Sequence, residues 1–182
     1  MPSTGGTPSA RSPDGAARAA ALLAFLALAG PGCPYGFSTA LPSNIRTLAV
    51  PVFANRTLEF NLEQEVTTKI VDRFVANNRL RIVPEKDADA VLVGEILEYR
   101  KSVYGFSREE QAQEYLVSIV AAIVLKDRVR NKELWSASRM TGSATYFTQA
   151  TAGQTVKTET EGRQAAVDEI ARQVLARTVE GW

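Results

Sequence analysis

The apolar residues after position 44 first recur at every second position. Leu48, Val50 and Val52 would lie on one face of an extended chain, so segment 45–53 is predicted to be a strand. Pro51 has no amide hydrogen to donate to a neighbouring strand, and we therefore expect this strand to end at a sheet edge or a bulge. The following residues, Ala-Asn-Arg-Thr, interrupt the apolar run.

Two other segments repeat their apolar residues at helical spacing. Segment 62–77 is predicted to be a helix, with Asn61 as its cap and Gln64 in the capping-box position. Its apolar stripe comprises Leu62, Val66, Ile70 and Phe74. Segment 163–180 is predicted to be the last helix of the chain. Its stripe comprises Val167, Ile170, Val174 and Leu175.

The remaining apolar runs are short and bounded by turn residues, which predicts strands. These strands are 80–83, 90–99, 114–127 and 133–139. Segment 114–127 is apolar at both alternating sets of positions, which is typical of a central strand covered on both sides or nearly so. The intervening segments predict a hairpin loop at 105–113, a polar turn at 128–132 and a Thr-, Gly-, Ala- and Ser-rich loop at 141–162.

This order of elements predicts an α+β fold. Two amphipathic helices cannot bury their stripes on each other and also cover the sheet, so both should pack on one face of a single sheet. We expect a two-layer sandwich in which two helices cover a mixed, about four-stranded sheet, all within one domain, 45–182. The other face of the sheet would be exposed or bound to a partner.

The first 32 residues have the layout of a secretory signal peptide. Two arginines, Arg11 and Arg18, precede the apolar run 20–29, and small residues follow it. The apolar run is too short to span a bilayer as a helix, which needs about 20 residues. We therefore expect residues 1–32 to be removed and segment 33–44 to connect the new N-terminus to the domain.

Cys33, the only cysteine, directly follows this leader. Its position resembles the cleavage site of bacterial lipoproteins, in which the cysteine thiol receives a diacylglycerol and the new amino group is acylated. Gly32 fits that pattern, whereas Pro31 and Gly30 depart from it. The resemblance implies that Cys33 is the lipid attachment site of a domain tethered to a membrane. The alternative is an ordinary secretory leader followed by an incidental cysteine.

Composition argues against most catalytic chemistry. The 182 residues include 21 basic and 20 acidic side chains, a net charge of +1, and no histidine. This balance gives no reason to expect a nucleic acid partner. Without histidine the chain has neither the usual general base nor the commonest metal ligand. No phosphate-binding glycine motif is present. We therefore expect no enzyme activity, no catalytic residues, no metal and no cofactor.

Several stretches in a fixed order resemble one family. They are LPSNIRTLAVPVFANRT at 41–57, ADAVLVGEILEY at 88–99, KELW at 132–135 and GSATYF at 142–147, all after a candidate lipidated cysteine. Together they resemble the LptE family of lipopolysaccharide-assembly lipoproteins. The resemblance implies two helices on a four-stranded mixed sheet, attachment to the outer membrane facing the periplasm, lipopolysaccharide binding and a place inside the β-barrel LptD.

No family motif identifies the lipopolysaccharide contacts, so charge is the guide. The predicted turn after the central strand carries the candidate phosphate-binding residues Lys126, Arg128, Arg130 and Lys132. The alternative is a solvated turn, since charged turns are common. Arg100 and Lys101 are a second candidate pair. The aromatic residues Trp135, Tyr146 and Phe147 could contact the barrel or belong to the core.

Other function classes stay open at this point. LAVPVFANRT also resembles the first strand of envelope lipoproteins related to the curli pore subunit and to the activator LpoB. That resemblance implies activation of a peptidoglycan synthase or formation of a secretion pore. A secreted hydrolase with an unusual site and a structural lipoprotein without a ligand are the remaining alternatives.

Overall fold

Six strands and two α-helices follow one another in the part of the chain that the structure describes. The computed structural model describes residue 5 and residues 41–106, 112–148 and 156–179. The elements are β1 (Thr47–Ala49), β2 (Ala54–Asn55), α1 (Leu62–Asn77), β3 (Arg81–Ile82), β4 (Ala90–Phe106), β5 (Ala112–Asp127), β6 (Lys132–Phe147) and α2 (Glu159–Val179). A 3₁₀ turn, Glu85–Asp87, precedes β4. The expected signal peptide and Cys33 lie outside the described residues.

The strands form one mixed sheet. Its order is β3-β1-β4-β5-β6, and β2 is a second partner of β4. β1 pairs with β3 and β4 in parallel, and β2 also runs parallel to β4. β5 is antiparallel to both of its neighbours. The sheet has six strands rather than about four because the short runs around β1 divide into separate pairings.

Both helices cover the same face of this sheet, as predicted. A single cluster of buried side chains joins the stripe of α1, the stripe of α2 and one face of the sheet. From the helices it includes Leu62, Val66, Ile70, Phe74, Ala166, Val167, Ile170 and Val174. From β4 and β5 it includes Leu92, Ile96, Ile119 and Ile123. The fold is therefore the predicted α+β two-layer sandwich.

The two faces of the central strand differ in burial. Val117, Ile119 and Ile123 of β5 point toward the helices and are fully buried. On the opposite face, Ala122 and Val124 are only half-buried. An ion pair lies across the strands there, with Arg139 Nη2 of β6 2.6 Å from Glu98 Oε1 of β4. No described helix covers this open face, although Val120 of β5 is buried there, so the helices cover the central strand on one side and the other side is partly buried.

The predicted first strand is interrupted near Pro51. β1 ends at Ala49, and the chain returns to the sheet only at β2, where a break was expected. Between them the N–H of Phe53 donates to Thr67 Oγ1 of α1 at 3.0 Å instead of to a strand. A β-carbon on Gly94 would lie 2.1 Å from the Phe53 ring, which shows how closely this ring packs on β4. The proline and the packing of Phe53 together divide the strand.

The Thr- and Gly-rich segment after residue 140 is strand, not loop. β6 continues to Phe147 and pairs with β5 along its whole length. A β-carbon on Gly162 of α2 would lie 2.7 Å from the ring of Tyr146. Small residues therefore mark a close contact between helix and sheet rather than a flexible connection. Residues 149–155, also expected in the loop, lie outside the described residues.

The helix ends also differ from expectation. Asn61 is left-handed, with φ 65°, and its side chain makes no capping hydrogen bond, so the predicted capping box is absent. α2 begins at Glu159, four residues earlier than predicted. Thr158 and Glu161 form a capping box there, because the N–H of Glu161 donates to Thr158 Oγ1 at 3.2 Å and the N–H of Thr158 donates to Glu161 Oε2 at 2.6 Å.

Candidate functional site

The turn between β5 and β6 carries the predicted basic cluster and has a fixed backbone. Asp127, whose side chain is 1% exposed, accepts a hydrogen bond from the N–H of Arg130 at 2.8 Å. Asn131 completes the turn in the left-handed region, with φ 49°. The four basic residues therefore lie within one short hairpin segment, which we call the cationic turn (residues 126–132).

Arg128 ties the cationic turn to the segment before β4. Its backbone N–H donates to the carbonyl oxygen of Asp89 at 2.9 Å. Its guanidinium group donates to the carbonyl oxygens of Glu85 and, at 3.4 Å, of Ala88. Arg128 is therefore engaged in holding the turn against the 3₁₀ turn, although its side chain is still exposed.

Arg130 ties the same turn to the chain that enters the domain. Its Nη1 donates to Asn44 Oδ1 at 2.7 Å and lies 3.7 Å from Asp127 Oδ2. Asn44 is the residue before the first buried side chain of the domain, Ile45. The cationic turn thus lies beside the point where the N-terminal connector reaches the fold.

Lys126 and Lys132 are the two basic residues of the turn that keep their ammonium groups free. Both are exposed, and within the described ranges neither has a hydrogen bond or an ion pair. They lie at the end of β5 and the start of β6, on either side of the turn. Of the four predicted residues, these two can bind a phosphate group without giving up an internal contact.

Asp89 connects the start of β1 to the start of β4 at this end of the sheet. Its Oδ2 accepts hydrogen bonds from the N–H groups of Arg46 and Thr47, both at 2.9 Å, and from Thr47 Oγ1 at 2.8 Å. These bonds hold the pKa of the Asp89 carboxyl below its usual value, the Arg46 N–H having the largest effect. Asp89 therefore joins the beginnings of β1 and β4 to the cationic turn.

The second predicted pair, Arg100 and Lys101, lies elsewhere on β4. Lys101 Nζ is 2.7 Å from Glu159 Oε2 at the start of α2, a contact that raises the pKa of Lys101 and lowers the pKa of Glu159. Arg100 Nη2 lies 3.5 Å from Glu98 on the open face. The structure does not bring this pair together with the cationic turn.

The three aromatic residues differ in accessibility. Tyr146 is buried and stacks on Tyr115 with ring centroids 5.4 Å apart. Trp135 is half-buried, and the guanidinium carbon of Arg177 lies 5.4 Å from its ring centroid. Phe147 is half-exposed at the end of β6. Tyr146 therefore belongs to the core.

The loop between β2 and α1 is a feature that the sequence analysis missed. Leu58 and Phe60 are almost wholly exposed there. The loop is nevertheless well held: Asn55 Oδ1 accepts hydrogen bonds from Thr57 N–H and Oγ1 at 2.9 and 2.8 Å, and Asn55 Nδ2 donates to the Glu59 carbonyl at 2.8 Å. The loop thus presents two large apolar side chains to solvent from a fixed backbone.

Glu59 fixes the same loop to the second helix. Its Oε1 lies 2.6 Å from Arg163 Nη1, and Arg163 Nη2 lies 2.8 Å from Glu65 Oε1 of α1. Leucine and phenylalanine within an otherwise polar segment before α1 were the available sequence signal. We call residues 56–61 the apolar loop.

Comparison with known proteins assigns the family. A family model described as LptE, lipopolysaccharide-assembly, matches residues 45–178. The chain belongs to the LptE family. The matched segment begins at the first buried residue of the domain and includes both the cationic turn and the apolar loop. Lipopolysaccharide assembly is therefore assigned at the level of the family.

Several bacterial proteins of known structure match this chain. They include the PelC dodecamer from Paraburkholderia phytofirmans, at 23% identity over 77% of this chain and 92% of that chain, with a TM-score of 0.47. The hypothetical protein CT253 from Chlamydia trachomatis is 16% identical over 72% and 94%, with a TM-score of 0.48. The rare lipoprotein B from Shewanella oneidensis is 15% identical over 70% and 94%, with a TM-score of 0.41. A search of curated proteins finds no match.

Neither α1 nor α2 is long and apolar enough to cross a membrane. No group of three or more acidic, cysteine or histidine side chains within the described ranges could hold a metal ion.

Proposed function

We propose that this chain is an outer-membrane lipoprotein that binds lipopolysaccharide and, with the β-barrel LptD, assembles it into the outer leaflet. Membership of the LptE family, over residues 45–178, is the observation that carries the proposal. Lipid attached to Cys33 would anchor the domain on the periplasmic side. The role is binding and assembly, with no covalent chemistry and no enzyme activity.

The cationic turn is the candidate site for lipopolysaccharide phosphate groups. Lys126 and Lys132 supply free ammonium groups on either side of a turn that Arg128 and Arg130 hold in place. An ammonium group binds phosphate as a point charge, so it tolerates several phosphate orientations. The exposed guanidinium groups of the two arginines add positive charge without being the primary contacts.

The apolar loop and the open sheet face are the candidate contacts with LptD. Leu58 and Phe60 expose two large apolar side chains close together on a fixed loop. Grouped exposed apolar side chains of this kind are typical of interaction surfaces. The open face of the sheet is half-buried at β5 and bears the Glu98–Arg139 ion pair, which joins β4 to β6. A barrel wall could cover both surfaces, which would make the chain the plug that the family resemblance implies.

A membrane-fraction pull-down of the tagged full-length protein tests this function. Mass spectrometry would identify both the modification of the N-terminus and the captured proteins. An acylated Cys33, together with a large barrel protein in near-equal amount, is the expected result. An unmodified N-terminus, or capture of a peptidoglycan synthase and no barrel, would contradict the proposal and favour an LpoB-like activator.

A further inference from the structure

The end of the domain where the chain enters is built from four segments. Arg130 contacts Asn44, and Arg128 contacts the 3₁₀ turn Glu85–Asp87. The N–H of Arg81 in β3 donates to the carbonyl oxygen of Arg46 just before β1 at 3.0 Å. We call this surface, with the cationic turn at its edge, the proximal end.

The proximal end is rich in exposed positive charge. Its exposed basic residues are Arg46, Arg79, Arg81, Lys86, Lys126, Arg128, Arg130 and Lys132. Its exposed acidic residues are Glu85, Asp87 and Glu133. The other acidic groups here, Asp89 and Asp127, are half-buried or buried and accept backbone hydrogen bonds. The surface therefore attracts anions although the whole chain is nearly neutral.

The opposite ends of the helices have the reverse charge. Five glutamates lie at or before the N-termini of α1 and α2: Glu59, Glu63, Glu65, Glu159 and Glu161. Lys101 and Arg163 compensate part of this charge. The domain is thus positive where its N-terminal connector joins it and more acidic at the N-terminal ends of its two helices. An anionic surface would therefore orient the domain with the proximal end toward that surface.

An apolar side chain lies at the tip of the cationic turn. Val129 is 76% exposed and stands between Arg128 and Arg130. Apolar residues flanked by lysine and arginine are typical of protein surfaces that rest on lipid headgroups, because the apolar group enters the boundary of the acyl region while the cations contact phosphates.

The segment between Cys33 and Asn44 limits how far the domain can lie from a lipid anchor. Eleven residue steps separate Cys33 from Asn44, a span of at most about 40 Å when fully extended. The apolar loop lies beside residues 97–100 of β4, roughly 25 Å further along the strand than the proximal end. The connector joins the domain at Asn44, which contacts Arg130, so a lipid on Cys33 would tether the domain at its proximal end.

We propose that the proximal end docks on anionic phospholipid headgroups of the leaflet that holds the Cys33 anchor. Lys126 and Lys132 make the phosphate contacts, and Val129 enters the headgroup boundary. This inference rests on the proposed lipid attachment and adds a second membrane contact to it. Lipopolysaccharide, the ligand proposed above for the same two lysines, offers the same phosphate chemistry, and the vesicle compositions below distinguish the two sources.

Lysine labelling tests the contact directly. The full-length protein isolated from membranes would be reconstituted in vesicles of phosphatidylcholine, with or without phosphatidylglycerol, or with lipopolysaccharide in its place. A water-soluble amine reagent then modifies accessible lysines, which mass spectrometry quantifies. We expect phosphatidylglycerol to slow the labelling of Lys126 and Lys132 about fivefold, and added salt to reverse this protection. Lys69 and Lys157 are internal controls, since neither belongs to the proximal end.

A second measurement does not depend on lysine reactivity. An environment-sensitive fluorophore on Val129→Cys should shift to the blue in phosphatidylglycerol vesicles. The shift should disappear in the Lys126→Gln/Lys132→Gln background and persist in the matched Lys69→Gln/Lys157→Gln background, which removes the same charge elsewhere. Circular dichroism would verify that each variant folds.

Equal labelling and an unshifted fluorophore in all vesicles would overturn the proposal, as would protection by lipopolysaccharide alone. If Cys33 proves to be unmodified, the proposed anchoring fails separately. The same measurements on the chain added to preformed vesicles would then still show whether the cationic turn contacts phospholipid.

Discussion

A β-carbon on Gly142 would lie 2.3 Å from the carbonyl oxygen of Ala166, so β6 and α2 touch through their backbones at this point. The backbone nitrogen of Ile170 would lie 3.1 Å from the same β-carbon. Backbone atoms cannot rotate away as a side chain can. The spacing between the second helix and the sheet therefore depends on the absence of a side chain at position 142.

Gly142→Ala should destabilise the domain by about 2 kcal/mol, because α2 would have to move off β6. Urea unfolding followed by circular dichroism measures this change. Gly105→Ala is the matched control, since its β-carbon would meet only the flexible side chain of Glu114, at 3.2 Å. Equal stability of the two variants would show that the helix adjusts without cost.

Asp89→Asn should lower the free energy of unfolding by about 2 kcal/mol at neutral pH, because a carboxylate that accepts several hydrogen bonds becomes a neutral amide. The exposed neighbour Asp87 supplies the control Asp87→Asn. If the two variants were equally stable, Asp89 would not be the junction of β1, β4 and the cationic turn.

The contribution of Asp89 should also depend on pH. Its pKa is lowered in the folded state, so its stabilisation is present above the unfolded pKa of about 3.9 and is lost as the pH falls through the folded pKa. The stability difference between the original chain and Asp89→Asn should therefore shrink below about pH 4. Urea unfolding at a series of acidic pH values measures it, and a constant difference would exclude this linkage.

Lys126→Gln/Lys132→Gln should weaken lipopolysaccharide binding about tenfold without changing stability, since neither ammonium group has an internal partner within the described residues. Titration with labelled lipopolysaccharide measures the affinity. Lys69→Gln/Lys157→Gln provides the same change of charge away from the turn. Equal loss in both variants would mean that only net charge matters.

Arg128→Gln should behave differently from the lysine variant. Its guanidinium group holds the 3₁₀ turn through the carbonyl oxygens of Glu85 and Ala88, so we expect a loss of about 1 kcal/mol of stability as well as weaker binding. Thermal unfolding separates the two effects. An unchanged melting temperature would argue that these hydrogen bonds do not stabilise the turn.

Leu58→Ser/Phe60→Ser should abolish co-purification of LptD while leaving the fold unchanged, because both side chains are exposed in the free domain. The control is Val75→Ser, an exposed apolar residue on α1 outside the apolar loop. Quantitative mass spectrometry of the pull-down measures the captured barrel. Undiminished capture would remove the apolar loop from the proposed interface.

The fold was largely predictable because the buried faces of its helices are visible in the sequence as apolar stripes. Leu62, Val66, Ile70 and Phe74 recur every four residues, and all four are buried against the sheet. β6 was not predictable in this way. Gly142 is small because α2 lies on it, and a sequence shows the small residue but not the helix that requires it.

The candidate site was predictable only in part. Charge alone identified the basic residues of the cationic turn, but it could not divide them into structural and free groups. The partners of Arg128 and Arg130 lie in segments that are distant along the chain, at Glu85 and Asn44. The exposure of Leu58 and Phe60 is likewise a property of the folded domain, because neighbouring apolar residues of similar character are buried.

The N–H of Lys157 donates to the carbonyl oxygen of Phe147 at 2.9 Å, so the end of β6 and the approach to α2 are joined directly. The distance between those two points is therefore independent of how many residues lie between them. When two points of a chain are joined in this way, doubling the number of residues between them costs only about 0.6 kcal/mol. This position can accept an epitope or a fluorescent reporter, which would make the domain visible inside an assembly without disturbing either surface.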